Sequence, residues 1–139
     1  MKPRACAVII RGKEILLMRR IKNGNEYYCF PGGSIEEGEA PSHAAVREMH
    51  EETGLAARVV EELFTIENQG RSEHYFLIIP STGVPEIIGE EKGWMNETNQ
   101  YHLEWHALDK SWALPNWYPV EAKEKLRALL QKSPLERRL

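Results

Sequence analysis

The sequence predicts a single α+β domain, a mixed α/β arrangement in which helices cover a sheet, and three observations carry that expectation. Short runs rich in β-branched and aromatic residues recur along most of the chain, with glycine-containing turns between them. Two segments, Pro41 to Thr53 and Tyr118 or Pro119 to Gln131, change to a helical pattern. No internal repeat, low-complexity tract or Gly/Ser linker divides the 139 residues, so one domain is expected to span 1–139. Each helix must bury one face, and the sheet is the surface available to both.

Taken in order, Arg4 to Ile10 and Glu14 to Arg20 are β-rich runs separated by Arg11-Gly12-Lys13, which reads as a hairpin. Tyr27 to Phe30 is a third, aromatic strand. Pro31-Gly32-Gly33 should end it, because proline cannot donate to a ladder and glycine permits unusual backbone angles, and a loop then runs to Gly38. Pro41 suits the first turn of a helix and Gly54 its C-terminal stop, with Ala44, Ala45, Val46 and Met49 as helix formers and apolar contacts. Ala57 to Asn68 and His74 to Pro80 read as two further strands. Ser81 to Gln100 is a polar loop, Tyr101 to Leu108 a strand, and the closing helix offers Val120, Leu126, Leu129 and Leu130 for burial. The tail Ser133 to Leu139 should fray.

Composition excludes several classes of function. With 42% hydrophobic and 28% charged residues the chain is ordinary globular material. A net charge of -3 and a pI near 6.0 provide no broad basic field, so a nucleic-acid polymer is not an expected partner. Two cysteines, Cys6 and Cys29, are too few for a metal-binding cysteine cluster or a disulfide framework, and they suit a reducing compartment. The apolar run Ala5 to Ile10 is too short for a signal peptide or a membrane span. A cytoplasmic protein with no membrane partner is the expectation.

The stretch that carries chemistry is Gly33 to Leu55. Glu48, Glu51 and Glu52 stand at i, i+3 and i+4 of the expected helix, which puts three carboxylates on one side of it. Their mutual repulsion falls if they share a divalent cation, and oxygen-only ligands suit a hard ion such as Mg2+ or Mn2+. Arg47 precedes Glu51 by four residues, and its fork of donors suits it to hold a ligand carboxylate in one orientation. Gly32 and Gly33 let the loop backbone approach the helix, so a carbonyl oxygen there can join a metal shell. An ion that also binds substrate phosphates and activates a nearby water would serve hydrolysis. Any one of these glutamates alone would read as solvated surface; the cluster does not.

The segment resembles the signature of the Nudix hydrolases at every fixed position: Gly33, five residues, Glu39, seven residues, Arg47-Glu48, apolar Met49, His50, Glu51-Glu52, Thr53, Gly54 and apolar Leu55. That resemblance implies an α/β/α sandwich around a mixed sheet, and hydrolysis of a nucleoside diphosphate linked to another moiety with magnesium or manganese. It further implies that Glu48, Glu51 and Glu52 are metal ligands, that Gly32 supplies a backbone carbonyl as in some members, and that Glu39 occupies an acidic position of varying role. The general base stays open among Glu51, Glu52 and a loop acid, for which Glu86, Glu90, Glu91 and Glu97 are the candidates.

Substrate preference lies outside that segment. Arg19 and Arg20 point to opposite faces of their strand, so at most one of them should reach a substrate phosphate. Trp94, Trp105, Trp112, Trp117, Tyr101 and Tyr118 offer aromatic faces for a base, although core or interface packing explains most of them. His43, His50, His74, His102 and His106 show no ligand spacing. Gly70-Arg71 stands where Nudix groups acting on ADP-ribose or dinucleoside polyphosphates carry a proline or tyrosine. A small nucleotide, foremost a nucleoside triphosphate and including an oxidised one, is therefore the expected substrate. The alternatives are a catalytically inactive nucleotide-binding or regulatory module, which intact Glu48, Glu51, Glu52 and Arg47 oppose, and an enzyme acting on an RNA cap or RNA end, which the acidic balance disfavours. Exposed aromatics in the C-terminal half would suit a homodimer interface, but the sequence does not decide the oligomeric state.

Overall fold

The computed structural model describes residues 1–87 and 90–133, with backbone alone at Glu90 and Glu91. The part of the expected frayed tail beyond Ser133 lies outside the described residues. The strands are β1 (Arg4–Arg11), β2 (Glu14–Lys22), β3 (Asn25–Cys29), β4 (Gly32–Ser34), β5 (Ala57–Asn68), β6 (Arg71–Pro80), β7 (Asn99–Ala107) and β8 (Trp117–Tyr118). The helices are α1 (Pro41–Thr53), α2 (Glu90–Trp94), α3 (Leu108–Ser111) and α4 (Val120–Lys132).

The first strand is buried on both faces, which is why Ala5 to Ile10 reads as an unbroken apolar run rather than an alternation. Ala5, Ala7 and Ile9 pack with Leu16 under Ala44, Ala45 and Met49 of α1. Cys6, Val8 and Ile10 pack on the opposite face with Phe30, Tyr75, Trp117 and Ala122 and Leu126 of α4. The result is the α/β/α sandwich expected from the sequence. Along α4 the burial differs from the expectation: Ala122 and Leu126 are enclosed, Leu130 packs at the margin, and Val120 is 55% exposed.

The helix α1 has the predicted bounds, for local reasons. Pro41 occupies its first turn, and Gly54 takes a left-handed conformation (φ 75°) from which its N–H donates to the His50 carbonyl at 2.8 Å. The hairpin of β5 and β6 closes through Gln69 and Gly70, both at positive φ (54° and 77°), which matches the strand twist of a two-residue turn.

Two expectations about the loops need correcting. The segment after Pro31 is not loop throughout, since Gly32–Ser34 forms β4 antiparallel to the start of β1. Glycine makes that pairing possible: a Cβ on Gly32 would lie 2.6 Å from the Ala5 carbonyl oxygen. Within Ser81 to Gln100 the short helix α2 interrupts the polar loop, and β7 begins at Asn99.

The sheet runs in the order β5-β6-β1-β2-β3-β8, with β4 also on β1 and β7 also on β2. β6 is parallel to β1, and the remaining β1 and β2 pairings are antiparallel. β1 and β2 stay paired only from Ile9↔Leu16 to Arg11↔Glu14. Beyond that, β2 takes β3 on the same side at Met18↔Cys29, whereas β1 takes β4 at Cys6↔Gly32. The strands therefore splay, and Phe30-Pro31 crosses the gap. Among the described residues no helix is long and apolar enough to cross a membrane.

Candidate active site

The arginine next to the acidic trio is the hub of its geometry. Arg47 Nε and Nη2 donate to Glu39 Oε2 and Oε1 at 2.8 and 2.9 Å, a two-pronged contact that fits guanidinium to carboxylate. Nη1 donates to Glu48 Oε1 at 3.0 Å and lies 3.4 Å from Glu51, and Nη2 also reaches the Ser34 carbonyl at 3.0 Å. Arg47 thus ties β4, the following loop and the helix together. Its guanidinium, with the Glu36 N–H, holds the Glu39 carboxyl well below the usual range, at about 2.

The three carboxylates fall in different surroundings. Glu48 lies directly over Gly33: a Cβ there would be 2.2 Å from its carboxyl carbon. Glu51 is 47% exposed at the side chain. Glu52 is buried, and its Oε2 accepts the Gly32 N–H at 2.9 Å. Gly33 therefore makes room for the helix, as expected, whereas Gly32 presses against β1 and offers Glu52 its amide. The donor set is chemically right for a hard divalent ion, being carboxylate and carbonyl oxygen alone. The expected convergence is not displayed, however: among the described residues no group of three His, Cys, Asp or Glu side chains stands close enough to hold a metal ion.

Glu52 and Gly32 form one wall of a cleft in the split between β1 and β2. Arg4, Met18, Arg20, Cys29, Phe30, Pro31, Trp94 and Tyr101 complete its lining. Of the two arginines ending β2, Arg20 enters the cleft. Its Nη2 donates to Asn99 Oδ1 at 2.6 Å, its Nε to the Gln100 carbonyl at 3.3 Å, and its guanidinium stacks 3.8 Å from the Tyr101 ring centroid. Arg19 faces the other way and pairs with Glu104 at 2.7 Å. Burial and the nearby Glu52 carboxylate push the Cys29 thiol up to about 12, so it is protonated at neutral pH and supplies no nucleophile.

The remaining candidates disperse. Glu86 is tied to the end of α1 through its backbone N–H, which donates to the Thr53 carbonyl at 2.7 Å, but its side chain is exposed beside Lys92. Glu97 is exposed, and the side chains of Glu90 and Glu91 lie outside the described residues. His74, His102 and His106 engage Glu62, Gln100 and Glu104. Trp117 is core, Trp112 stacks on it, and Trp94, 52% exposed, lines the cleft. Sequence reasoning missed Arg4 and its buried partner Glu73. An acid followed by the apolar run Tyr75 to Pro80 was the available signal.

Comparison with known proteins agrees with this architecture. The profile of the family described as "NUDIX domain" matches residues 1–129. The "RNA pyrophosphohydrolase" of Psychrobacter sp. (strain PRwf-1) is 29% identical over 143 residues, covering 91% of this chain and 82% of that protein. The protein of the same name from Psychrobacter arcticus is 30% identical over 115 residues, covering 77% of this chain but 65% of its own length, so the chain spans less than two thirds of that relative. Among solved structures, the solution structure of the E. coli ORF135 protein superposes with a TM-score of 0.69 at 25% identity, covering 96% of this chain and 94% of that one.

Proposed function

The chain belongs to the NUDIX domain family, and on that premise we propose that it is a divalent-metal-dependent pyrophosphohydrolase whose substrate is the 5′ polyphosphate end of an RNA. The observation that carries the hydrolase reading is the meeting of Glu52 and the Gly32 backbone with the cationic cleft of Arg4 and Arg20. Glu48, Glu51 and Glu52, with a carbonyl from the Gly32 segment, would hold the ion. When bound, it supplies charge neutralisation for a phosphoanhydride and a lowered pKa for a nearby water.

The chain's own part is to position and to accept a proton. A water oxygen attacks phosphorus, its proton passes to a glutamate of the α1 cluster, and the anhydride P–O bond breaks with its electron pair leaving on the departing phosphate. Arg20, fixed by Asn99, Gln100 and Tyr101, presents a preorganised cation at low entropic cost.

The names of the similar curated proteins move the preferred substrate from a free nucleoside triphosphate to RNA, whose phosphoanhydrides lie at its 5′ end. The net charge of -3 disfavours a long polymer track. It does not oppose recognition of one terminal nucleotide, which needs few phosphate contacts.

The test compares a 5′-triphosphorylated RNA oligonucleotide, free nucleoside triphosphates and an ADP-sugar in magnesium. Release of diphosphate or orthophosphate from the oligonucleotide at higher kcat/KM is expected. Turnover of free nucleotides with inert RNA would refute the RNA substrate, and no turnover of any of these substrates would refute the enzyme reading. The variant E52Q keeps an acceptor for the Gly32 N–H while losing the charge, so it should fold normally and lose magnesium-dependent turnover.

A further inference from the structure

Arg4 brings into the cleft a second guanidinium beside that of Arg20, with no contact to substrate yet assigned to it. It begins β1, where the parallel register places it opposite Glu73 on β6. Glu73 is 2% exposed, and a buried carboxylate is costly unless its oxygens are partnered. Tyr75 Oη donates to its Oε1 at 3.0 Å, while Asn68 Nδ2 and Arg4 Nη1 approach Oε2 at 3.5 and 3.4 Å.

The two cleft arginines differ in how their donors are used. Arg20 donates through two of its nitrogens, Nε and Nη2, and its face is stacked on Tyr101. Arg4 gives Glu73 one long contact through one nitrogen, and among the described residues its guanidinium makes no other hydrogen bond. A guanidinium carries five N–H donors. The side chain is 30% exposed and lines the cleft beside Gly32 and Glu52. The pairings Arg4↔Ser34 and Cys6↔Gly32 put it on the stretch of β1 that pairs with β4, the strand whose Gly32 amide meets Glu52.

We propose that Arg4 binds a phosphoryl oxygen of the substrate, and that Glu73 and Tyr75 are positioning residues which hold its guanidinium at the floor of the cleft. The proposal rests on the hydrolase reading above and names a binding residue for it. An anion at this point satisfies the remaining donors and offsets the repulsion between a polyphosphate and Glu52.

The test separates binding from stability. In the double variant R4M/E73M both charges go, a replacement that buried ion pairs often tolerate. It should still melt cooperatively, somewhat below the wild type because Tyr75 Oη loses its Glu73 acceptor, bind inorganic pyrophosphate about tenfold or more weakly by calorimetry, and raise KM by a similar factor with kcat little changed. R4K keeps the charge without the fork and should fall between the two. E73Q keeps the shape of its side chain and should raise KM severalfold at constant kcat, a split that a purely structural role would not give.

Wild-type affinity for pyrophosphate and wild-type KM in R4M/E73M would overturn the proposal, as would weakened binding of nucleotides with pyrophosphate binding intact. If the double variant does not fold, unchanged KM and pyrophosphate affinity in R4K overturn it equally. Because the calorimetry needs no turnover, it judges Arg4 even where the hydrolase reading fails. An active enzyme with an indifferent Arg4 removes this inference alone.

Discussion

Replacing Gly33 by alanine should damage the reaction while sparing the fold, whereas the adjacent Gly32→Ala should destabilise the fold itself. A Cβ on Gly33 would lie 2.2 Å from Glu48 Cδ and 2.3 and 2.5 Å from its two oxygens. Unbonded carbon atoms settle at about 3.5–4.0 Å, so the carboxylate must move by more than an ångström. It is the far end of a flexible side chain and can do so. The stability at risk is the Arg47–Glu48 contact at 3.0 Å, worth up to about 1 kcal/mol, against roughly 0.4–1 kcal/mol regained by restricting the unfolded chain. Tm should therefore stay within about 4 °C of the wild type. Displacing a ligand or its support typically costs about 10- to 100-fold in activity or metal affinity, and that is the expected fall in kcat/KM. In Gly32→Ala the new Cβ would meet Ala5 O at 2.6 Å and Cys6 Cα at 2.9 Å, which are backbone and cannot turn away. A loss of about 1–3 kcal/mol is expected there. Thermal melts and magnesium-dependent turnover of both variants decide the matter. Full activity in G33A would show that the place of Glu48 is immaterial, and a G33A melt as low as that of G32A would show that the flexible-end argument is wrong.

Three further outcomes follow from the same geometry. Arg47→Lys cannot reproduce contacts to Glu39, Glu48 and the Ser34 carbonyl from one ammonium, so stability should fall by about 1–3 kcal/mol and turnover at least tenfold; near-wild-type kinetics would dismiss Arg47 as the organiser. The Glu39 carboxyl is depressed from 4.5 to about 2, so its contribution to folding is present above 4.5 and lost as pH falls toward 2. Urea midpoints of Glu39→Gln should lack that part of the acid slope, and parallel curves would contradict the assignment. Magnesium at a hundred times its Kd should stabilise the protein by about 2.7 kcal/mol over EDTA, and E52Q should lose most of that shift in Tm; an equal shift in both would place the ion elsewhere.

What was legible in the sequence was legible where neighbours along the chain decide the structure. The ends of α1 follow from Pro41 and Gly54, each acting through its own backbone angles, and the i, i+3, i+4 spacing of the glutamates follows from the helix. The opposite facing of Arg19 and Arg20 follows from strand alternation, but which of the two enters the cleft depends on β7, some 80 residues away, through Asn99, Gln100 and Glu104. β4 was hidden because Pro-Gly-Gly reads as a breaker, whereas the glycine is there to let two backbones touch. The Arg4–Glu73 pair was hidden because 69 residues separate its members and only the parallel register joins them. The trio of acids was visible, but its response to Arg47 was not: the arginine draws Glu48 and Glu51 to itself while Glu52 turns to Gly32.

The acidic segment and the cleft are built from different parts of the chain. Glu39, Arg47, Glu48, Glu51 and Glu52 come from one stretch of chain, held by its own hydrogen bonds and by one glycine contact. The walls of the cleft come from β1, β2, β7, α2 and the Phe30-Pro31 crossing, which share no local signal and meet because β1 and β2 part after three residue pairs. A substitution at Trp94, Tyr101 or Met18 can reshape what enters the cleft without touching an atom that holds Arg47 or Glu48. Glu52 belongs to both parts, its carboxylate joined to the Gly32 amide of the cleft at 2.9 Å. Under the proposed function, that hydrogen bond joins the acidic segment to the cleft, so substitutions there should alter turnover and substrate preference together.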